Sequence, residues 1–146
     1  MSVRSTTQRI ADVRAMLERE VDAWVASASA SGDAYLLPLS FYWDGSCLTI
    51  ATPKTSRTAR NLRRAGWARL ALGPTRDVVM VEGDVREIPV DAEPELAEAH
   101  ANAAGFDARR EPGYVFFQLR PARIQAWRNP AELDERDVMR DGRWLD

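Results

Sequence analysis

Apolar residues early in the chain recur at helical spacing: Ile10, Val13, Leu17, Val21, Trp24 and Val25 are separated by Arg, Glu and Asp. This spacing predicts an amphipathic helix from Thr7 to about Ser29 that covers an apolar face. The small-residue, glycine-containing stretch from Ser27 to Asp33 breaks it. Tyr35 to Trp43 is then apolar and aromatic, and Asp44-Gly45 marks a tight turn into a strand from Cys47 to Thr52, which together predict a β-hairpin. After Pro53, the residues Ser56, Ala59 and Leu62 form one face of a short helix. Trp67 to Leu72 predicts another strand, followed by the turn Gly73-Pro74-Thr75. A long strand from Asp77 to Ile88 has Gly83 inside it, at a bulge or a close backbone approach.

Asp91 to about Gly105 predicts a helix with Pro94 in its first turn, and Phe106 to Gly113 a polar connection. Tyr114 to Trp127 predicts a second long strand, where Pro121 requires a bend, a bulge or an edge position. The pattern predicts one domain over residues 1–146: a helical segment to residue 30, a barrel over 31–129 and a docking segment over 130–146. Five or six strands joined by short turns, with two or three helices, give a mainly β, antiparallel barrel with flanking helices.

Composition narrows the chemistry. Twenty basic and 22 acidic residues give a net charge of −2, which leaves no electrostatic footprint for nucleic acid, so an anion site must be local. One cysteine, Cys47, excludes an intrachain disulfide. One histidine, His100, excludes Ser-His-Asp, Cys-His and multi-histidine zinc arrangements, and reads as a surface or packing residue. There is no GxGxxG, Walker loop or HExxH. No signal-like segment or membrane-length apolar run occurs, so a cytoplasmic protein away from membranes is expected.

The most informative stretch is Cys47 to Leu62, CLTIATPKTSRTARNL, where an apolar strand runs into hydroxyls and cations at a helix start. Unpaired N–H groups there would join the hydroxyls of Thr52, Thr55 and Ser56 and the charges of Lys54, Arg57 and Arg60, a composition suited to phosphate. A helix merely capped by Ser56, with solvated basic residues around it, accounts for the same letters.

The AT followed by SRTARNL, the later VVMVEGDVREI, and a terminal strand ending RIQAWRN with ELDER soon after resemble the flavin-binding split β-barrel superfamily. That superfamily includes pyridoxamine 5′-phosphate oxidases and deazaflavin-dependent reductases. The resemblance spans roughly Tyr35 to the C-terminus and implies a six-stranded split barrel. It implies a homodimer with two cofactor sites in its interface, binding FMN or alternatively F420, and hydride exchange with a small conjugated or aromatic substrate. By the match, Leu37, Pro38, Leu39, Ser40, Ala51 and Thr52 would lie beside the cofactor ring. Ser56 and Arg57 would hold the phosphate with help from Thr58, Lys54 or Arg60; the family's lysine is replaced by Thr58. Trp127 and Arg136 match a tryptophan and an arginine that reach the flavin from the second subunit. Where the oxidases have Arg-Leu-His-Asp-Arg to grip the substrate phosphate, this chain has Glu132-Leu133-Asp134-Glu135-Arg136, whose acids would repel it, so the resemblance does not extend to that oxidase activity. A dimer that holds or sequesters a cofactor without turnover is the alternative.

Overall fold

The computed structural model describes residues 2–146. Helix α1, Thr6–Arg19, opens on Ser5, whose hydroxyl accepts the Gln8 N–H, and buries Ile10, Val13, Met16 and Leu17. It ends ten residues short of the predicted Ser29, and the stretch expected to complete it is strand β1, Asp22–Ala28. The reason is a change of period. Ala23 and Val25 alternate into the core while Trp24 between them is 51% exposed, which is strand and not helix geometry. The barrel therefore begins at Asp22 and not at residue 31.

The remaining elements follow the predicted order. They are β2 (Ala34–Trp43), β3 (Leu48–Pro53), α2 (Arg57–Ala65), β4 (Trp67–Leu72), β5 (Val78–Pro89), α3 (Pro94–Ala104) and β6 (Tyr114–Trp127). The expected docking segment holds a single 3-10 turn, Pro130–Glu132, and two short strands, β7 (Asp137–Arg140) and β8 (Arg143–Trp144). All pairings are antiparallel in the order β3-β2-β1-β4-β5-β6-β7-β8, and β3 also pairs with β6. Strands β1 to β6 thus close a six-stranded barrel with flanking helices. Val25, Phe41, Ile50, Leu70, Val81 and Phe117 fill its interior, and the apolar stripe of α1 packs into the same core. A smaller apolar cluster of Ala51, Ile88, Ala97, Ala108 and Phe116 packs α3 onto the outside.

The seam between β2 and β3 is short. Its register runs only from Trp43↔Leu48 to Phe41↔Ile50, beyond which β2 continues along β1 and β3 along β6. On β6 one edge is taken throughout by β5, while the other pairs with β3 up to Leu119 and with β7 from Ile124. Between those two contacts the β5–β6 register slips at Glu82/Gly83, so that Gly83 faces Pro121 while Glu82 faces Arg123. Pro121, opposite Gly83, thus sits at the bulge, on the stretch of β6 that pairs with neither β3 nor β7, a position that accommodates a residue without an N–H. A Cβ built on Gly83 would lie 1.9 Å from the Arg120 carbonyl oxygen, a backbone atom with no freedom to yield. Gly83→Ala should therefore lower unfolding stability by about 3 kcal/mol or more, read from the urea midpoint, whereas a loss within about 0.5 kcal/mol would show that the two backbones can separate.

Candidate functional site

The start of α2 brings most of the predicted anion-binding residues together. Ser56 is the N-cap: its Oγ accepts the Ala59 N–H at 3.1 Å and lies 2.9 Å from Thr52 Oγ1 near the end of β3. Both features expected of this stretch, the cap and the cluster of cations, are present at once. Arg57 and Thr58, the first two helical residues, carry N–H groups that no helical carbonyl can reach. The first turn contains no acidic residue. Arg63, farther along, is neutralised by a two-pronged pair with Glu87 at 2.7 and 2.8 Å. By contrast Lys54, Arg57 and Arg60 are exposed and form no ion pair among the described residues. Arg57 lies over the Tyr35 ring at 4.9 Å, and Arg60 donates to the Thr55 carbonyl at 2.9 Å.

Thr58 is placed differently from its neighbours. Its side chain is fully buried and its Oγ1 has no hydrogen-bond partner, so its hydroxyl does not join the exposed cations. Leu39 packs against the barrel core, and the Ser40 hydroxyl donates to Asp22 at 2.7 Å. Ala51 and Thr52 are buried. These four residues lie on β2 and β3 just where the two strands part, so they flank one opening.

Trp127 and Arg136 form a second cluster. The Arg136 guanidinium is 6.0 Å from the Trp127 ring and is oriented by a 2.8 Å bond to the Leu133 carbonyl. This pair is remote from α2: on β6, Val115 pairs with Thr52 beside the Ser56 cap, whereas Trp127 pairs with Val78 at the other end. Twelve residues of strand separate them, roughly 40 Å of chain path. One chain does not bring its own two clusters together.

Glu132 corrects an expectation. Its side chain is buried and bonded to Arg4, so it does not face a site where it could repel a phosphate; Asp134 and Glu135 are exposed. The structure also supplies partners that the sequence pattern did not indicate, among them Tyr35 under Arg57 and Glu87 on Arg63. Glu82 is occupied by Arg69 and Arg123. No group of three or more metal-ligating side chains occurs among the described residues, and no helix there is long and apolar enough to cross a membrane.

His100 is a packing residue. It is fully buried edge-on to Phe106 and Phe116, with neither ring nitrogen partnered. Burial pushes its pKa down to about 4. Since this lies below the value of the unfolded chain, the unfolded state binds the extra proton first. Stability is therefore full above about pH 6.5 and falls as the pH drops towards 4, by up to about 3 kcal/mol. His100→Leu should flatten the urea midpoint across this window, and an unchanged slope would assign the acid sensitivity to other groups.

The family model described as Pyridoxamine 5′-phosphate oxidase matches residues 10–128. Among solved structures, a putative pyridoxamine 5′-phosphate oxidase from Listeria innocua is 16% identical, with 82% of this chain and 98% of that one covered and a TM-score of 0.67. A structure described as an F420 reductase is 16% identical over 76% of this chain and 94% of its own, with a TM-score of 0.64. A heme binding protein from Mycobacterium smegmatis is 16% identical with a TM-score of 0.70, covering 89% of this chain and 57% of its own length. At these identities the likeness is one of fold. No curated protein sequence matches the chain.

Proposed function

Because the chain belongs to the pyridoxamine 5′-phosphate oxidase family, we propose that two copies of it hold FMN, or F420 in its place, between them and use it to exchange hydride with a small conjugated or aromatic substrate. The observation that carries this reading is the electrostatics at the start of α2. The N-terminus of a helix is already the positive end of its dipole, and natural helices place acids there. Here Arg57 and Arg60, with Lys54 just before them, stand in that field without a carboxylate among the described residues. An anion with several oxygens relieves this repulsion and takes up the free N–H groups.

On this reading Ser56 and Arg57 bind the cofactor phosphate, with Lys54 and Arg60 adding charge and Thr58 offering its backbone N–H, since its hydroxyl is buried. Leu39, Ser40, Ala51 and Thr52 border the ring. Trp127 packs on it and Arg136 stabilises negative charge, both from the second copy, because the chain's own pair lies at the far end of β6. The bound ring supplies the redox chemistry, which suits a chain with no acid–base constellation of its own. The surface offered to the second copy is the outer face of β2, β1 and β4. Leu36, Trp24 and Trp67 are 59%, 51% and 43% exposed there, and strand register sets Ala26 opposite Leu36 and Trp24 between Pro38 and Ala71.

Titration of the purified protein with FMN and with riboflavin, which lacks the phosphate, tests the assignment. Arg57→Ala should weaken FMN about 10- to 100-fold and leave riboflavin unchanged, through loss of a charge-assisted bond. Equal FMN affinity in the variant would remove Arg57 from the site. Reoxidation of the reduced, bound cofactor by a conjugated or aromatic acceptor separates an enzyme from a dimer that only holds its ligand.

A further inference from the structure

The segment that carries Trp127 and Arg136 is held by polar groups from the opposite end of the chain. Glu132, 1% exposed, accepts four hydrogen bonds: from Arg4 N at 2.9 Å, Arg4 Nε at 3.0 Å, Arg4 Nη2 at 2.8 Å and Arg128 N at 2.8 Å. Arg4 spends its remaining prong on Asp12 at 3.0 Å, and Asn129 donates to the Ser2 carbonyl at 3.2 Å. Beneath this, buried Arg9 donates to the carbonyls of Ala126 and Glu135. Those are the residues immediately before Trp127 and Arg136. The two backbone stretches are tied to each other as well, through Ala126 N–H to the Arg136 carbonyl at 2.9 Å.

We propose that Arg4 and Glu132 are positioning residues, which with Arg9 preset Trp127 and Arg136 for a ring bound by the second copy; this rests on the function proposed above. The polarity of the clamp supports a positioning role. A buried ion pair gives little net stability over apolar packing of the same shape, but its two-pronged geometry fixes direction as well as distance. Trp127 itself is not packed into the barrel core, and the Arg136 guanidinium is hydrogen-bonded only to the Leu133 carbonyl of its own loop, so neither side chain sets its orientation unaided.

The test uses the full chain with two readouts. In cofactor-free protein, Arg4→Ala should raise hydrogen exchange of the amides over 126–136 by about tenfold or more while those over 51–62 keep wild-type protection. The same variant should weaken FMN and riboflavin by an equal factor of about ten, leaving their ratio unchanged, since the ring contact is lost and the phosphate contact kept. This separates it from Arg57→Ala, which moves the ratio. Arg4→Lys, keeping the charge but not the fork, should recover part of both effects. Should Arg4→Ala fail to fold, Glu132→Gln, of the same shape, is read in the same way. Wild-type binding together with undiminished flavin affinity in the folded variant overturns the clamp alone. Failure of the wild type to bind either flavin or F420 overturns the functional reading and the clamp's role with it.

Discussion

The close approach of β5 and β6 at Gly83 is the constraint from which the architecture follows. With no side chain in the way, the backbone of Gly83 lies against the Arg120 carbonyl, and the register slips by one residue there. A bulge of this kind bends a strand and sharpens its twist. On β6 the bend falls between Leu119, the last residue paired with β3, and Ile124, the first paired with β7. One strand can thereby close the barrel with its first half and carry the C-terminal hairpin with its second.

That division of β6 also separates the chemistry. The strand's first half lies beside Thr52 and the cationic start of α2, and its last residue is Trp127. On the function proposed above each end is partial: one has charge and hydroxyls, with its aromatic, Tyr35, covered by Arg57, the other an indole and a guanidinium without a phosphate cradle. The strip over β2, β1 and β4 leaves Leu36, Trp24 and Trp67 exposed, and it is the surface proposed above to meet the second copy. A two-fold partner would cover that strip and join unlike ends, which is how a symmetric contact makes two complete sites from four halves.

Local features of this fold were legible in the sequence. The β2–β3 hairpin, the Ser56 cap and the bulge at Gly83 and Pro121 are each written in a few neighbouring residues whose backbone chemistry is specific. The end of α1 was not, because Leu17, Val21, Trp24 and Val25 satisfy a helical period while Val21, Ala23 and Val25 satisfy a strand's. Only burial separates the two, and small Ala23 carries little weight in a hydrophobic pattern. In the candidate site, the cluster from Lys54 to Arg60 was visible as a contiguous run. The burial of Thr58 and the saturation of Glu132 were not. The latter depends on Arg4, 128 positions away, and no local pattern reports a contact of that range.

If each site is shared between two copies, two differently damaged chains should restore one another. Arg57→Ala damages one half-site and Trp127→Ala the other, so neither protein alone should bind FMN tightly. Allowed to exchange subunits, the mixture should regain tight binding at up to about a quarter of all sites, since half the dimers are mixed and each holds one intact pair of halves. A mixture that binds no better than the two proteins measured separately would contradict a site built from two chains.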